Sequence, residues 1–350
     1  MCRGVIIWRL YWFIRYPEDF LKKGFLLKTA VLSAAVIAAC LFFLVFSSSS
    51  EKSEPDVSGK LEKAFAYISS NEAFLTFRCR EDFSDCRRLV NSIFIKALIL
   101  QILSEIGEEY FSPVIQNGIS EILKRQSEYF LWDFSGQTDP LRHHFFPDLD
   151  TTSLSAYFLT SQGVDFHFEE IRETILKKQL EDGVFLTYLR EFQPPRSANF
   201  MNKDAVVNAN VLAVLGEDIP SVCDYINDSF DKSAYYKDDA VIFYMLAKAY
   251  SRGCKCIRPA LDKLYEKVKN SDVYSAPMHL SMFITGCFLY ENTEKPVLEK
   301  AIGALLAKEP EFPFKENFFS YDNPDKRTSF YNPVFSVAVY AEALTKIKKN

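Results

Sequence analysis

Beyond residue 57 two kinds of segment alternate along the chain. In the first kind, apolar residues recur at spacings of three and four among charged ones: "SGKLEKAFAYIS", "ISEILKRQSEYFL", "FEEIRETILKKQL", "SVCDYINDSF", "RPALDKLYEKVKN" and "KPVLEKAIGALLAK". The second kind is apolar or small nearly all round: "LVNSIFIKALILQIL", "TSLSAYFLTSQG", "AVVNANVLAVLG", "AVIFYMLAKAY", "APMHLSMFITGCFLY" and "NPVFSVAVYAEAL". A helix with one apolar stripe lies on the outside of a domain, and a helix apolar on every side is buried. The period-two alternation of strands is scarce. Strict alternation therefore predicts six helical hairpins, none able to bury its own faces. Closing them into a ring gives an all-α fold, a single (α/α)6 toroid over residues 58–350 with the apolar helices as its inner wall. An open α-solenoid is the alternative, and the uniformly apolar second helices favour closure.

This topology starts every inner helix at one end of the barrel. The residues preceding those helices then share a rim: Asp148 and Asp150, Asp204 and Asn208, Asp238 and Asp239, His279, and Asn332. Unpaired amides and partial positive charge at six helix N-termini gather there too. The richest stretch is "HHFFPDLDTTSLSAYF", which adds His143 and His144. Its acids are explained by helix capping, by proton donation, or by binding a polar headgroup or cation, and the histidines can pair with them. In "NKDAVVNANVLAVLG" Asp204 reads as a cap, whereas Asn208 and Asn210 are amides in an apolar helix and need partners. Those partners are backbone carbonyls of neighbouring hairpins or a ligand. Two long connections, residues 188–202 and the aromatic run before the last inner helix, fall at the same rim. They read as lids, and Arg190 or Arg196 in the first can meet an anionic group.

The N-terminal part is different. "TAVLSAAVIAACLFFLVF", Thr29 to Phe46, is eighteen residues without a charge. At a helical rise it spans roughly 27 Å, near the thickness of a bilayer core. Arg3, Arg9, Arg15, Lys22, Lys23 and Lys28 precede it. The expected organisation is a basic, amphipathic leader (1–28), a transmembrane anchor (29–46), a linker (47–57) and the toroid. The positive-inside rule makes this a single-pass membrane protein with a cytoplasmic N-terminus and an extracytoplasmic domain. "IAAC", ending at Cys40, also looks like a lipoprotein cleavage box, against which the continuing apolar run argues. Such a placement permits disulfides. Cys79 and Cys86 flank a short loop, and Cys223, opening an outer helix, lies beside Cys254 or Cys256 at the end of the inner helix packed on it.

Composition narrows the function. A net charge of −5 leaves no footprint for nucleic acid. No Ser/His/Asp signature, phosphate-cradling glycine loop or clustered metal motif occurs. His279 and Cys287 stand eight residues apart, a poor spacing for a shared metal, so neither a metal nor another cofactor is expected.

The stretch "LWDFSGQTDPLRHHFFPDLDTTSLSAYFL" resembles the repeat barrel of squalene–hopene cyclases and class II terpene cyclases, a fold shared with protein prenyltransferase β subunits. Those cyclases carry Asp-x-Asp-Asp-Thr at the start of an inner helix. Asp148-Leu149-Asp150-Thr151-Thr152 matches in the first, third and fifth places, and Thr151 stands where the family has its last Asp. The family's repeats of Gln, Gly and an aromatic are echoed by Gln179, Gly183 and Phe185, and more faintly by Gln126 and Trp132. The resemblance implies an α/α toroid, with Asp150 as the general acid and Asp148 as its electrostatic neighbour. It also implies a chamber in which some of the fifty-three aromatic residues face carbocations. The expected partner is an isoprenoid or other lipid-like molecule, met by Asp148 and Asp150 with His143, His144, Asp204, Asn208, His279 and Trp132 around them. The prenyltransferases' zinc set has no counterpart, since no Asp-x-Cys is present. Two other classes stay open: an interaction scaffold that kept the barrel without the chemistry, and an α/α-barrel glycan hydrolase or lyase with paired acids.

Overall fold

The computed structural model describes residues 56–350 apart from 72–76, 82–86, 91, 128, 135–146, 190–201, 317 and 324–325. Eleven α-helices are described: α1 (Val57–Ser70), α2 (Ile93–Lys124), α3 (Leu149–Ser161), α4 (Phe168–Lys177), α5 (Ala205–Leu215), α6 (Pro220–Ser229), α7 (Asp239–Ser251), α8 (Arg258–Lys269), α9 (Pro277–Tyr290), α10 (Lys295–Leu306) and α11 (Pro333–Lys349). The long α2 is two helices in one run. At Gly107 the backbone leaves the helical region, so the segment before it serves as an inner helix and the segment after it as an outer one.

Packing between elements closes a ring. The first half of α2 packs on α3, α3 on α5, α5 on α7, α7 on α9, α9 on α11, and α11 back on α2. Outside this wall α4 covers α3, α6 covers α5, α8 covers α7, α10 covers α9 and α1 covers α11. The six inner and six outer helices are those the apolar pattern separates: every described residue of α5 is buried, whereas α8 buries one stripe. The outer layer also closes. Buried Lys60 of α1 donates to the Lys308 carbonyl oxygen at 2.9 Å, just beyond α10.

Five inner helices open on a side-chain cap: Ser92, Asp148, Asp204, Asp238 and Asn332 each accept an amide N–H of the first turn. The sixth, α9, opens with Pro277 at its first position, where a missing N–H is harmless. These choices put all six N-termini at one rim.

One feature adds to the expected all-α ring, and one expectation needs correction. The chain is not wholly helical: β1 (Phe77–Glu81), β2 (Arg87–Val90), β3 (Phe319–Asn323) and β4 (Lys326–Tyr331) form an antiparallel sheet in the order β2-β1-β4-β3. Arg78 pairs with Tyr331 and Phe319 with Phe330, so one hairpin preceding α2 is joined to another preceding α11. The sheet thus straps the segment before α2 to the segment before α11, where the ring closes. The single-pass membrane assignment is overturned: among the described residues, no helix is long and apolar enough to cross a membrane. The stretch Thr29–Phe46 itself lies outside the described residues, as do Cys86 and the Arg190 and Arg196 connection. Of the two pairings open to Cys223, the structure forms Cys223–Cys256, with Cα atoms 5.7 Å apart, and leaves Cys254 a buried free thiol.

Candidate functional site

The rim is built from a repeated local device. Two outer helices end in a turn where a glutamine amide donates to a carbonyl four residues on: Gln126 Nε2 to Phe130 O at 2.8 Å, and Gln179 Nε2 to Gly183 O at 2.7 Å. The receiving residue is left-handed in both, with φ 62° at Phe130 and 79° at Gly183. Two positions later comes a fully buried aromatic, Trp132 or Phe185. The next inner helix then clasps that aromatic's backbone from four residues beyond its cap. Thr152 Oγ1 lies 3.2 Å from both Trp132 N and Trp132 O. Asn208 accepts from Phe185 N at 3.0 Å and donates to Phe185 O at 3.0 Å and Asp204 O at 2.9 Å. Ser336, four residues after the Asn332 cap, repeats the contact with Phe314 O at 3.3 Å.

This device accounts for three of the candidate ligand residues. Asn208 has its hydrogen bonds within the turn. Trp132 turns its indole N–H to Ile122 O at 2.8 Å and stands edge-on to Phe166. Asp204 accepts from Val206 N and Val207 N with one oxygen, and from Ser233 Oγ (2.6 Å) and Ala234 N (2.8 Å) with the other. Asp148 caps α3, accepting from Thr151 N at 2.6 Å and Thr151 Oγ1 at 2.9 Å. Burial pushes both carboxyls above the usual range, against the donors that hold them down. His279 lies elsewhere on the rim, 3.3 Å from the Asp238 carboxylate. His143 and His144 lie outside the described residues.

Asp150 is engaged differently. It sits in the first turn of α3, 5% exposed, and bonds to no backbone amide at its own helix end. Its oxygens accept from Asn210 Nδ2 of α5 at 2.8 Å and from Tyr236 Oη, just before α7, at 2.6 Å. Burial raises its carboxyl to about 7; the Tyr236 and Asn210 bonds oppose the shift, and the Asp204 charge adds to it. Burial and the facing Asp150 drive the Tyr236 phenol well above its ordinary value. The arrangement is a buried acid held by neutral donors from two further repeats. Sequence reasoning placed Asn210 only as an amide needing a partner. Tyr236 lies in a loop with no periodic signal and was missed.

Two cavities have described residues in their walls. One, about 670 Å³, has Lys177, Lys178, Gln179, Asp182, Tyr188 and Lys203 in its wall, and the other, about 590 Å³, has Pro277, Lys308, Glu311, Phe314 and Glu316. Neither is lined by Asp148 or Asp150. Asp218, Cys223 and Cys256 bring possible metal-ligand atoms within 4.8 Å of one another. The disulfide occupies both sulfurs of that group.

Comparison with solved structures identifies the fold. The apo type II terpene cyclase MstE from Scytonema superposes with a TM-score of 0.62 over 84% of this chain and 99% of that one, at 13% identity.

The chain has the fold of a type II terpene cyclase.

A variant of MstE in complex with geranylgeranyl dihydroxybenzoate gives a TM-score of 0.58 at 13% identity, over 83% of this chain and 97% of that one. The ent-copalyl diphosphate synthase of Streptomyces platensis gives 0.52 at 14% identity, over 73% of this chain and 50% of that one. No protein-family model matches the chain, and no curated protein matches it in sequence. Identities this low show the shared terpene cyclase toroid and leave the chemistry to the side chains. The glycan-enzyme alternative wants carboxylates on facing walls of an open cleft. Asp148, Asp150 and Asp204 are instead all buried.

Proposed function

We propose that this toroid binds and processes an isoprenoid-type molecule, with Asp150 as its acid. The observation that carries the reading is the state of that carboxyl: buried, raised to about 7, and held by Tyr236 and Asn210 in a terpene cyclase fold. Near pH 7 a substantial fraction is protonated and has an O–H to give. Transfer of that proton to an alkene carbon leaves the Asp150 carboxylate and a carbocation, and loss of a proton from the product restores the acid. The carboxylate is met at once by the Tyr236 O–H and Asn210 N–H, both of which favour the charged form. Thr151 replaces the family's last acid, and Asp204, contributed by the next repeat, supplies a raising charge in its stead.

One observation favours the scaffold reading: Asp148 is spent on capping and Thr151 carries no charge. Mass spectrometry of lipids co-purifying with the full chain separates the two. An isoprenoid-type species is expected with wild type, and the same species in unconverted form is expected to accumulate on Asp150→Asn. No ligand on either protein, with unchanged circular dichroism, leaves the scaffold.

A further inference from the structure

At the end of the ring away from Asp150, α5 and α7 finish and the chain turns outward into α6 and α8. Three groups with metal-binding chemistry meet there. The Asp218 carboxylate and the sulfurs of Cys223 and Cys256 place their ligand atoms within 4.8 Å of one another. Asp218 precedes α6, Cys223 lies in its first turn, and Cys256 sits in the short 3-10 turn ahead of α8. The Asp218 charge also reaches Cys254, where it adds to the burial that pushes that thiol up to about 12. The carboxylate therefore faces the cysteines.

The donor set is selective. Two thiolates and a carboxylate suit Zn²⁺, whereas Ca²⁺ and Mg²⁺ want oxygen alone. A tetrahedral zinc site has Zn–S of about 2.3 Å and Zn–O of about 2.0–2.2 Å, which sets its ligand atoms roughly 3.5–3.8 Å apart. Once the two sulfurs part, adjustments on the order of 1 Å bring the three ligands to that spacing. The backbone around them does not depend on the S–S bond. Asn227 of α6 donates to Cys256 O at 3.0 Å and accepts from Ala260 N at 3.0 Å, so α6 stays tied to the segment that leads into α8. Cys254 is buried, lies outside the close group and is not counted as a ligand.

Disulfides persist in oxidising surroundings, and in reducing ones cysteines brought together in this way serve as metal ligands. The exchange balances. A dithiol reductant gives two electrons to the Cys223–Cys256 bond, which breaks, while its own sulfurs join and its two protons pass to the cysteines. Binding of Zn²⁺ then releases those two protons to water and leaves two thiolates on the metal.

We propose that the reduced chain holds a zinc ion between Asp218, Cys223 and Cys256, so that one clamp joins α6 to α8 as a disulfide or as a metal site. It is independent of the acid at the opposite end of the ring. The test adds Co²⁺ alone to the full chain, reduced with a dithiol that is then removed under anaerobic conditions, and reads thiolate-to-cobalt charge-transfer absorption. One Co²⁺ per reduced chain is expected, displaced by Zn²⁺, and none on the oxidised chain. Zn²⁺ should raise the urea midpoint of the reduced chain and leave that of the oxidised chain unchanged. Asp218→Asn, an exposed change that should fold, is expected to weaken binding at least about tenfold, since even losing a ligand's supporting partner costs that much. Cys223→Ser with Cys256→Ser should abolish the bands, and Cys254→Ala should keep them. No bands from reduced wild type overturns the site. Bands that persist in the double serine variant put the metal on other cysteines and overturn it too. Undiminished affinity in Asp218→Asn, or loss of the bands in Cys254→Ala, overturns the ligand set.

Discussion

Tyr236 donates its phenolic hydrogen to Asp150 across 86 residues of sequence, at 2.6 Å, inside a site closed to solvent. The bond stabilises the ionised carboxylate, and burial more than offsets it, leaving the acid raised to about 7. The consequence for stability has a definite sign. Below about pH 4 Asp150 is protonated in the folded and the unfolded chain alike. Between there and about 7 the unfolded chain ionises while the folded one holds its proton, so stability falls as pH rises. The loss levels off above 7, at roughly 4 kcal/mol at most. Asp148 and Asp204 shift the same way, so the comparison must be with a variant. Urea unfolding of wild type and Asp150→Asn is expected to show the variant gaining relative stability from pH 5 to pH 8. Parallel curves would mean that Asp150 titrates normally.

Removing the donor tests the same bond from the other side. In Tyr236→Phe the carboxylate loses a hydrogen bond that opposed its shift, and the Asp150 carboxyl should titrate above 7. Carboxyl-carbon NMR on selectively labelled protein reads this directly. A midpoint unchanged or lowered would show that Tyr236 does not govern the acid.

The ring was legible because its signal is local: "AVVNANVLAVLG" and "RPALDKLYEKVKN" differ in how many faces are apolar, and that difference sorts inner from outer helices. The sheet was not. Its strands are too short to signal: "FRCRE" alternates over only four residues and "KRTSFY" not at all, and their pairing joins residues far apart in sequence, such as Arg78 and Tyr331. Asp150 stood out through its motif, while the residues that hold its carboxyl, Asn210 and Tyr236, come from the two following repeats and leave no short-range trace. Asn208 and Asn210 show the limit sharply. Both are amides in one apolar helix, yet one clasps Phe185 and the other faces Asp150.

The Asn208 clasp is a folding device, and its loss should be felt as one. Asn208→Ala leaves the buried Phe185 N–H and C=O without their side-chain partner. A loss of about 3 kcal/mol is expected, with Thr152→Val, its counterpart on α3, losing about 1–2 kcal/mol. Denaturant unfolding at pH 7 measures both. A ligand-binding defect in either at unchanged stability would return these residues to the site.

Gly183 shows the same turn from the backbone. Its φ is +79°, and an added Cβ would come within 2.2 Å of Ser221 Oγ, which itself donates to Gly183 O at 2.9 Å. Gly163, at φ +65°, has open space around it. Gly163→Ala should therefore lose about 1 kcal/mol from the left-handed backbone alone, and Gly183→Ala clearly more. Gly183→Ala combined with Ser221→Gly should recover part of the difference. Equal losses at the two glycines would show that Ser221 does not crowd the turn.

The Cys223–Cys256 bond tests how the outer layer is held. It joins α6 to the short segment ahead of α8 and closes a loop of 33 residues' separation. Around it the same two elements are already tied, since Asn227 Nδ2 donates to Cys256 O at 3.0 Å and Asn227 Oδ1 accepts from Ala260 N at 3.0 Å. The folded chain therefore has little to lose when the bond is cut, and the effect falls mainly on the unfolded ensemble. For a loop of this length the chain-entropy model gives about 3–4 kcal/mol. Cys223→Ala and Cys256→Ala should each lose that amount, equal to the loss on adding reductant to wild type, and reductant should then do nothing further to either variant. Cys254, a buried thiol pushed up to about 12 by desolvation, is a poor attacking thiolate and should not replace the missing partner. A thiol count of unfolded protein without reductant decides this last point: a new Cys223–Cys254 bond in Cys256→Ala would show that the buried thiol is reachable after all.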